Sequence, residues 1–144
     1  MTLKNSAVED LVEKKRNPKV AIVGAGMSGI LAAIKMQEAG ISDITIFEKG
    51  EEIGGTWRDN RYPGLSCDVP AHLYTYSFAP NPEYSHRYAR GAEIHAYFKR
   101  VAKEYGVYEK VRFNSKLDKS EYKDGKWSLW LASGEKEVYD IVIC

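Results

Sequence analysis

Lys19-Val20-Ala21-Ile22-Val23-Gly24-Ala25-Gly26-Met27-Ser28-Gly29 is the stretch that decides the fold. Lys19 to Val23 is a short β-branched run of the kind that forms a buried strand. It runs straight into three glycines spaced Gly-x-Gly-x-x-Gly. Beyond them, Ile30 to Ala39 carries Ile30, Leu31, Ala33 and Ile34 at helical spacing, from a start at about Met27, and Gly40 is a natural stop. Ile44 to Phe47 reads as a second strand ending at Glu48. The order strand, glycine turn, helix, strand is a βαβ unit. Each glycine answers a separate steric demand. Gly24 allows the tight turn out of the strand, Gly26 leaves backbone open to a pyrophosphate, and Gly29 lets the helix pack closely. Ala33 adds a second small residue on the helix for the same close packing. The helix N-terminus then offers free N–H groups and the positive end of its dipole to phosphates.

Glu48 lies nineteen residues past Gly29. A carboxylate at that distance accepts hydrogen bonds from a ribose diol. The bland alternative is an exposed carboxylate at a strand end. An acid at this place fits an unphosphorylated ribose, as in NAD or FAD, and argues against NADP here. Lys49 could face a 2′-phosphate, although a lone surface lysine is the commoner explanation.

Working outward, Met1 to Pro18 is polar and charged, an arm set apart from a domain over 19–144. Glu51 to Pro82 has no clean period and is rich in Gly, Pro, Tyr, Trp and Arg. Such a long irregular stretch is usually functional or disordered, and the aromatics speak against disorder. Ala92 to Tyr105 is helical, with Ile94, Tyr97, Phe98 and Val101 on one face and Gly106 as the stop. Val111 to Phe113, Leu117 to Tyr122, Trp127 to Leu131 and Val138 to Ile143 read as short strands, with Asp124-Gly125 as a hairpin turn. The last strand is apolar to Cys144 and resembles a buried central strand, which suggests the front piece of a longer protein.

The 144 residues make one domain's worth of chain, 44% hydrophobic and 28% charged, with a net charge of +1. That balance gives no electrostatic argument for nucleic acid or an anionic membrane. No apolar run approaches the roughly 20 residues of a membrane span. Cys67 and Cys144 form no CxxC pair, and His72, His86 and His95 show no metal-like pattern, so no metal site is expected. Few cysteines and no signal peptide point to a cytoplasmic setting.

Gly54-Gly55-Thr56-Trp57, Arg61-Tyr62-Pro63-Gly64, Cys67-Asp68 and Tyr74-x-Tyr76-Ser77-Phe78 follow the glycine turn in order. Together they resemble the N-terminal FAD segment of class B flavoprotein monooxygenases, the group of Baeyer–Villiger and flavin-containing monooxygenases, and sit nearer the Baeyer–Villiger side. The resemblance runs from about Val20 to the C-terminus and is sharpest between Gly24 and Phe78. It implies an α/β fold: a Rossmann-like FAD-binding domain with a central parallel sheet and a small β-meander, incomplete at its C-terminus. It implies FAD as cofactor and NADPH in the full-length protein. NADPH would supply the reducing equivalents and O2 the oxygen atom, delivered to a ketone or to a soft nitrogen or sulfur nucleophile. The cofactor-binding set it implies is Gly24, Ala25, Gly26, Met27, Ser28, Gly29, Glu48, Lys49, Gly55, Thr56, Trp57, Asp68 and Tyr74. Asp68 matches a carboxylate near the flavin ring and is the candidate catalytic residue.

From the residues alone, Asp68 reads as an orienting acceptor or a counter-charge to a nearby arginine, with a turn carboxylate capping an N–H as the bland alternative. Tyr76 and Phe78 read better as core than as flavin neighbours, Cys67 as a small buried residue, and Arg58 and Arg61 as either phosphate ligands or structural cations. The family's second glycine turn and its Phe-x-Gly-x-x-x-His fingerprint are absent from these residues, so the chain by itself is expected to be inactive. Other readings are an amine N-hydroxylase or disulfide-reductase-like flavoprotein, an NAD-dependent dehydrogenase, or a non-catalytic nucleotide-binding module. A free edge of the sheet suggests homo-oligomer formation.

Overall fold

The computed structural model describes residues 17–144. The expected N-terminal arm over 1–18 therefore lies outside the described residues, apart from Asn17 and Pro18. Strand β1 (Val20–Val23), helix α1 (Met27–Glu38) and strand β2 (Ile44–Phe47) form the βαβ unit. A single helical turn, α2 (Thr56–Asp59), follows, then a 3-10 turn at Ala71–Leu73 and helix α3 (Gly91–Glu104). After a second 3-10 turn (Tyr108–Lys110) come β3 (Val111–Arg112), β4 (Leu117–Lys123), β5 (Lys126–Leu131), β6 (Lys136–Tyr139) and β7 (Ile141–Ile143).

Strands β3, β2, β1 and β7 make a parallel sheet in that order, with Val20 opposite both Ile44 and Ile141. Strands β4, β5 and β6 make a separate antiparallel meander. The two-residue period of a strand divides the parallel sheet into two apolar faces. Val20, Ile22, Ile44 and Ile46 join the core that holds Ile30, Ala33 and Ile34 of α1 and Ile94, Tyr97, Phe98 and Val101 of α3. Ala21 and Phe47 face the other way, onto Leu129, Leu131 and Tyr139 of the meander. The molecule thus has three layers: helices, parallel sheet, meander. Each fully buried Ile or Phe contributes about 1.5–3 kcal/mol, so the sheet that carries the glycine turn is anchored from both sides. Arg112 adds a polar tie, bonding Glu135 at 2.8 Å and also Glu137 while lying over the Phe47 ring.

Local signals behave as their chemistry requires. Gly40, at φ +84, ends α1, and Gly106, at φ +63, follows α3. Asp124 and Gly125 both have positive φ, which a tight hairpin between β4 and β5 requires. Helices α1 and α3 begin and end within a residue or so of the positions expected, while the single turn α2 falls in the stretch read as irregular.

The expected strand Val138–Ile143 is corrected. It is two strands in two sheets, β6 pairing with β5 and β7 with β1, broken at Asp140. The Asp140 N–H donates to the Lys19 carbonyl at 2.9 Å, and its carboxylate accepts the Lys19 N–H at 2.9 Å. That reciprocal pair turns the chain from the meander into the parallel sheet. Among the described residues β7 stands at the sheet edge, and Ile141 is exposed. Among the described residues, no helix is long and apolar enough to cross a membrane.

Candidate dinucleotide site

The site is built where β1 and β2 end side by side. Gly24 leaves β1 at φ +94, and its N–H bonds to the Phe47 carbonyl at the end of β2. Gly26 caps α1 with no side-chain hydrogen bond, and the first turn of α1 holds no acidic residue. The first helical bond runs from the Ile30 N–H to the Gly26 carbonyl. The N–H groups of Met27, Ser28 and Gly29 are therefore left without helical acceptors at the positive end of the dipole. Gly29 is pressed against the turn itself. A Cβ there would run into the Gly24 carbonyl oxygen and lie 3.1 Å from its carbon. The closeness it permits is to the glycine turn more than to the strand.

A second glycine pair closes over the first. Gly54 and Gly55 have φ of +122 and +52, values open to glycine at little cost. The Gly54 N–H bonds the Ala25 carbonyl at 2.9 Å, which brings Gly55 directly onto Gly26. A Cβ on Gly55 would sit 3.1 Å from the Gly26 Cα. Two clefts open on either side of this contact, and Val23, Gly24, Gly26, Gly55 and Thr56 line both. One, of about 430 Å³, continues to Glu48, Lys49, Arg58, Asn60 and Ser115–Leu117. The other, of about 350 Å³, continues over Met27, Ser28 and Gly29 to Trp57 and Tyr74. Two clefts joined at a glycine turn suit a ligand with two bulky ends and a phosphate bridge.

Glu48 is buried, 3% exposed, which overturns the alternative of a solvated strand-end carboxylate. Its Oε2 accepts the Ala25 N–H at 2.8 Å, and its Oε1 accepts the Gly50 N–H at 2.8 Å and Arg58 Nη1 at 2.7 Å. Burial pushes the Glu48 carboxyl up, but these donors together outweigh it and hold the group below the usual carboxylate range. Arg58 is held above its ordinary value, by the Asp59 carboxylate first and by Glu48, against the opposing effect of burial. Lys49 is exposed and lies 3.6 Å from Asp59.

At the other end, Trp57 Nε1–H donates to the Tyr74 hydroxyl at 3.3 Å, and the rings meet edge to face at 5.6 Å. Tyr76 and Phe78 are stacked at 5.2 Å beside Tyr97 and Phe98 in the core. The Tyr76 hydroxyl donates to the Met27 carbonyl, fixing the first turn of α1. Cys67 is buried. Of the residues singled out in the sequence, Gly24, Gly26, Met27, Ser28, Gly29, Glu48, Lys49, Gly55, Thr56, Trp57 and Tyr74 come together here, with Ala25 buried beneath them. Asp68 does not: it is on an exposed loop and lines neither cleft. Asn60 and Ser115–Leu117 carried no sequence signal, and Arg58 only an ambiguous one.

The family model for an NAD(P)-binding Rossmann-like domain matches residues 22–91. An uncharacterized monooxygenase of Mycobacterium tuberculosis is 48% identical over 128 residues, covering 89% of this chain and 26% of the relative. A Baeyer-Villiger monooxygenase of Streptomyces coelicolor is 44% identical over 99 residues, covering 69% of this chain and 19% of the relative. Among solved structures, OTEMO in complex with FAD and NADP superposes with a TM-score of 0.78 at 31% identity, over 84% of this chain and 24% of that one. The chain thus spans about a quarter, or less, of the length of the relatives it matches. In sequence and in fold alike, the chain is similar to one part of the Baeyer-Villiger and other FAD-binding monooxygenases.

Proposed function

We propose that this chain grips FAD and serves as the flavin-holding part of an NADPH- and O2-dependent monooxygenase. The observation that carries the proposal is the pair of clefts meeting at Gly26 and Gly55, with a buried acid at one end and an indole–phenol pair at the other. The residues fit the group. The open amides of Met27, Ser28 and Gly29 receive the pyrophosphate, and the helix dipole favours its charge. Glu48 receives the ribose hydroxyls, and the cleft past Lys49 to Leu117 receives the adenine. Thr56, Trp57 and Tyr74 line the flavin end, where the aromatic pair excludes water and fixes the plane of the ring. When bound, FAD would accept two electrons as a hydride from NADPH and, once reduced, pass them to O2. The substrate class is a ketone, or a soft nitrogen or sulfur nucleophile, within the whole protein. Asp68 is exposed here, so a catalytic part for it requires contact with NADPH or with sequence beyond this chain. The two unpaired cysteines, Cys67 and Cys144, agree with a cytoplasmic setting. The edge strand β7 is the place where a second copy would pair.

The test is a titration of the chain with FAD, followed by flavin fluorescence, with ADP, NAD and NADP as competitors. Saturable binding of FAD displaced by ADP supports the reading. NAD or NADP binding more tightly than FAD would replace it with a pyridine-nucleotide site.

A further inference from the structure

Glu48 and Arg58 are the buried charged side chains among the described residues. A buried ion pair is weak evidence for stability, because apolar residues of similar size often serve as well. This pair lines the cleft assigned to adenosine. Arg58 also reaches three segments at once. Nη1 donates to Glu48 Oε1 at the end of β2 and to the Glu52 carbonyl in the following loop, while Nε donates to Asp59 Oδ1 in α2 at 2.7 Å. The guanidinium lies on Gly50, filling the space that a side chain would need there.

The oxygens of Glu48 are not equivalent. Oε1 accepts two donors and is filled. Oε2 accepts one, the Ala25 N–H, and keeps one acceptor position. A ribose hydroxyl needs that position. The same guanidinium sets how far α2, with Thr56 and Trp57, stands from β2.

We propose that Arg58 is a positioning residue for dinucleotide binding: its fork fixes the Glu48 carboxylate with Oε2 available to the ribose, and holds α2 at the spacing that a ligand spanning both clefts needs. The inference rests on the FAD reading above. Lysine is a compact point charge and cannot satisfy three acceptors from one plane.

The test compares Arg58→Lys, Arg58→Met, Glu48→Gln and the double variant Arg58→Met/Glu48→Gln. FAD and ADP affinities are measured for each, together with the titration midpoint of the Glu48 carboxyl by carbon NMR. Arg58→Lys is expected to weaken both ligands by about ten- to a hundred-fold, the loss that follows when charge-assisted bonds at one carboxylate are misaligned. Its Glu48 midpoint stays close to wild type, because a positive charge remains. Arg58→Met raises that midpoint as well. Should Arg58→Met fail to fold, the double variant removes both charges and restores a neutral pair. Its loss of affinity is expected to be far smaller than the product of the two single losses. Wild-type affinities in Arg58→Lys, or multiplying losses in the double variant, would overturn the proposal. If the wild-type chain binds ADP but not FAD, the flavin reading fails, while the ADP affinities and the Glu48 titration still decide the role of Arg58.

Discussion

Replacing Gly26 with alanine separates folding from binding. Gly26 sits at φ −81 and ψ −172, a conformation any residue adopts. An added Cβ meets its nearest neighbour, the Gly55 Cα, at 3.7 Å, an ordinary contact. Alanine is a poorer N-cap than glycine, a penalty of roughly 0.5–1 kcal/mol. Loss of unfolded-chain freedom returns about 0.4–1 kcal/mol, so the fold is left within about 0.5 kcal/mol of wild type. Binding has no such offset. Gly26 lines both clefts, so the methyl stands where the phosphate bridge must cross. Displacing that bridge forfeits at least one charge-assisted bond from the α1 amides, worth about 1.5–3 kcal/mol, or about ten- to a hundred-fold in affinity. Denaturant midpoints and FAD titrations on the same preparations check both halves. A folded Gly26→Ala variant with wild-type FAD affinity would refute the placement of the pyrophosphate. An unfolded one would refute the claim that the space beside Gly26 is there for a ligand.

Gly29→Ala is expected to do the reverse. Its Cβ collides with the backbone of Gly24, which no side-chain rotation can relieve, so the unfolding free energy from denaturant titration falls by at least the roughly 1–3 kcal/mol of an overpacked site. Acid should unfold the protein with a definite sign. Glu48, Glu52, Asp59 and Glu137 are all held below their ordinary values, so the folded state binds fewer protons than the unfolded one. Their contribution is complete above the unfolded carboxylate range of about 4 and is lost as pH falls through the folded values. Denaturant midpoints should be level from pH 7 to about 5 and fall below that, with a shallower fall in Glu48→Gln. An equal acid slope in that variant would show that Glu48 is not held as described.

Much of this molecule is legible in its sequence because local chemistry and global packing agree. The glycine turn, the periodic face Ile94, Tyr97, Phe98 and Val101, and the Asp124-Gly125 hairpin each state a conformation that the three layers also require. The break at Asp140 is not legible. Strand-forming residues flank it, and the bonds to the Lys19 backbone, far away in sequence, mark it as a corner. Arg58 is hidden for a similar reason. Locally it is an arginine beside an aspartate, and its part depends on the loop folding back onto Glu48. Ser115–Leu117 reach the cleft through the connection between β3 and β4, for which no spacing rule exists. Asp68 shows the opposite failure. The motif around it is easily recognised, yet its exposed loop is not drawn to the clefts by the contacts present.

Whether these residues grip FAD across the Gly26–Gly55 junction is read from a visible absorption spectrum. The purified chain is incubated with FAD, passed through gel filtration and measured for flavin bands eluting with the protein. Flavin is expected to be retained at a one-to-one ratio in the wild-type chain and lost in Gly26→Ala. A folded wild-type chain that elutes without flavin would contradict it.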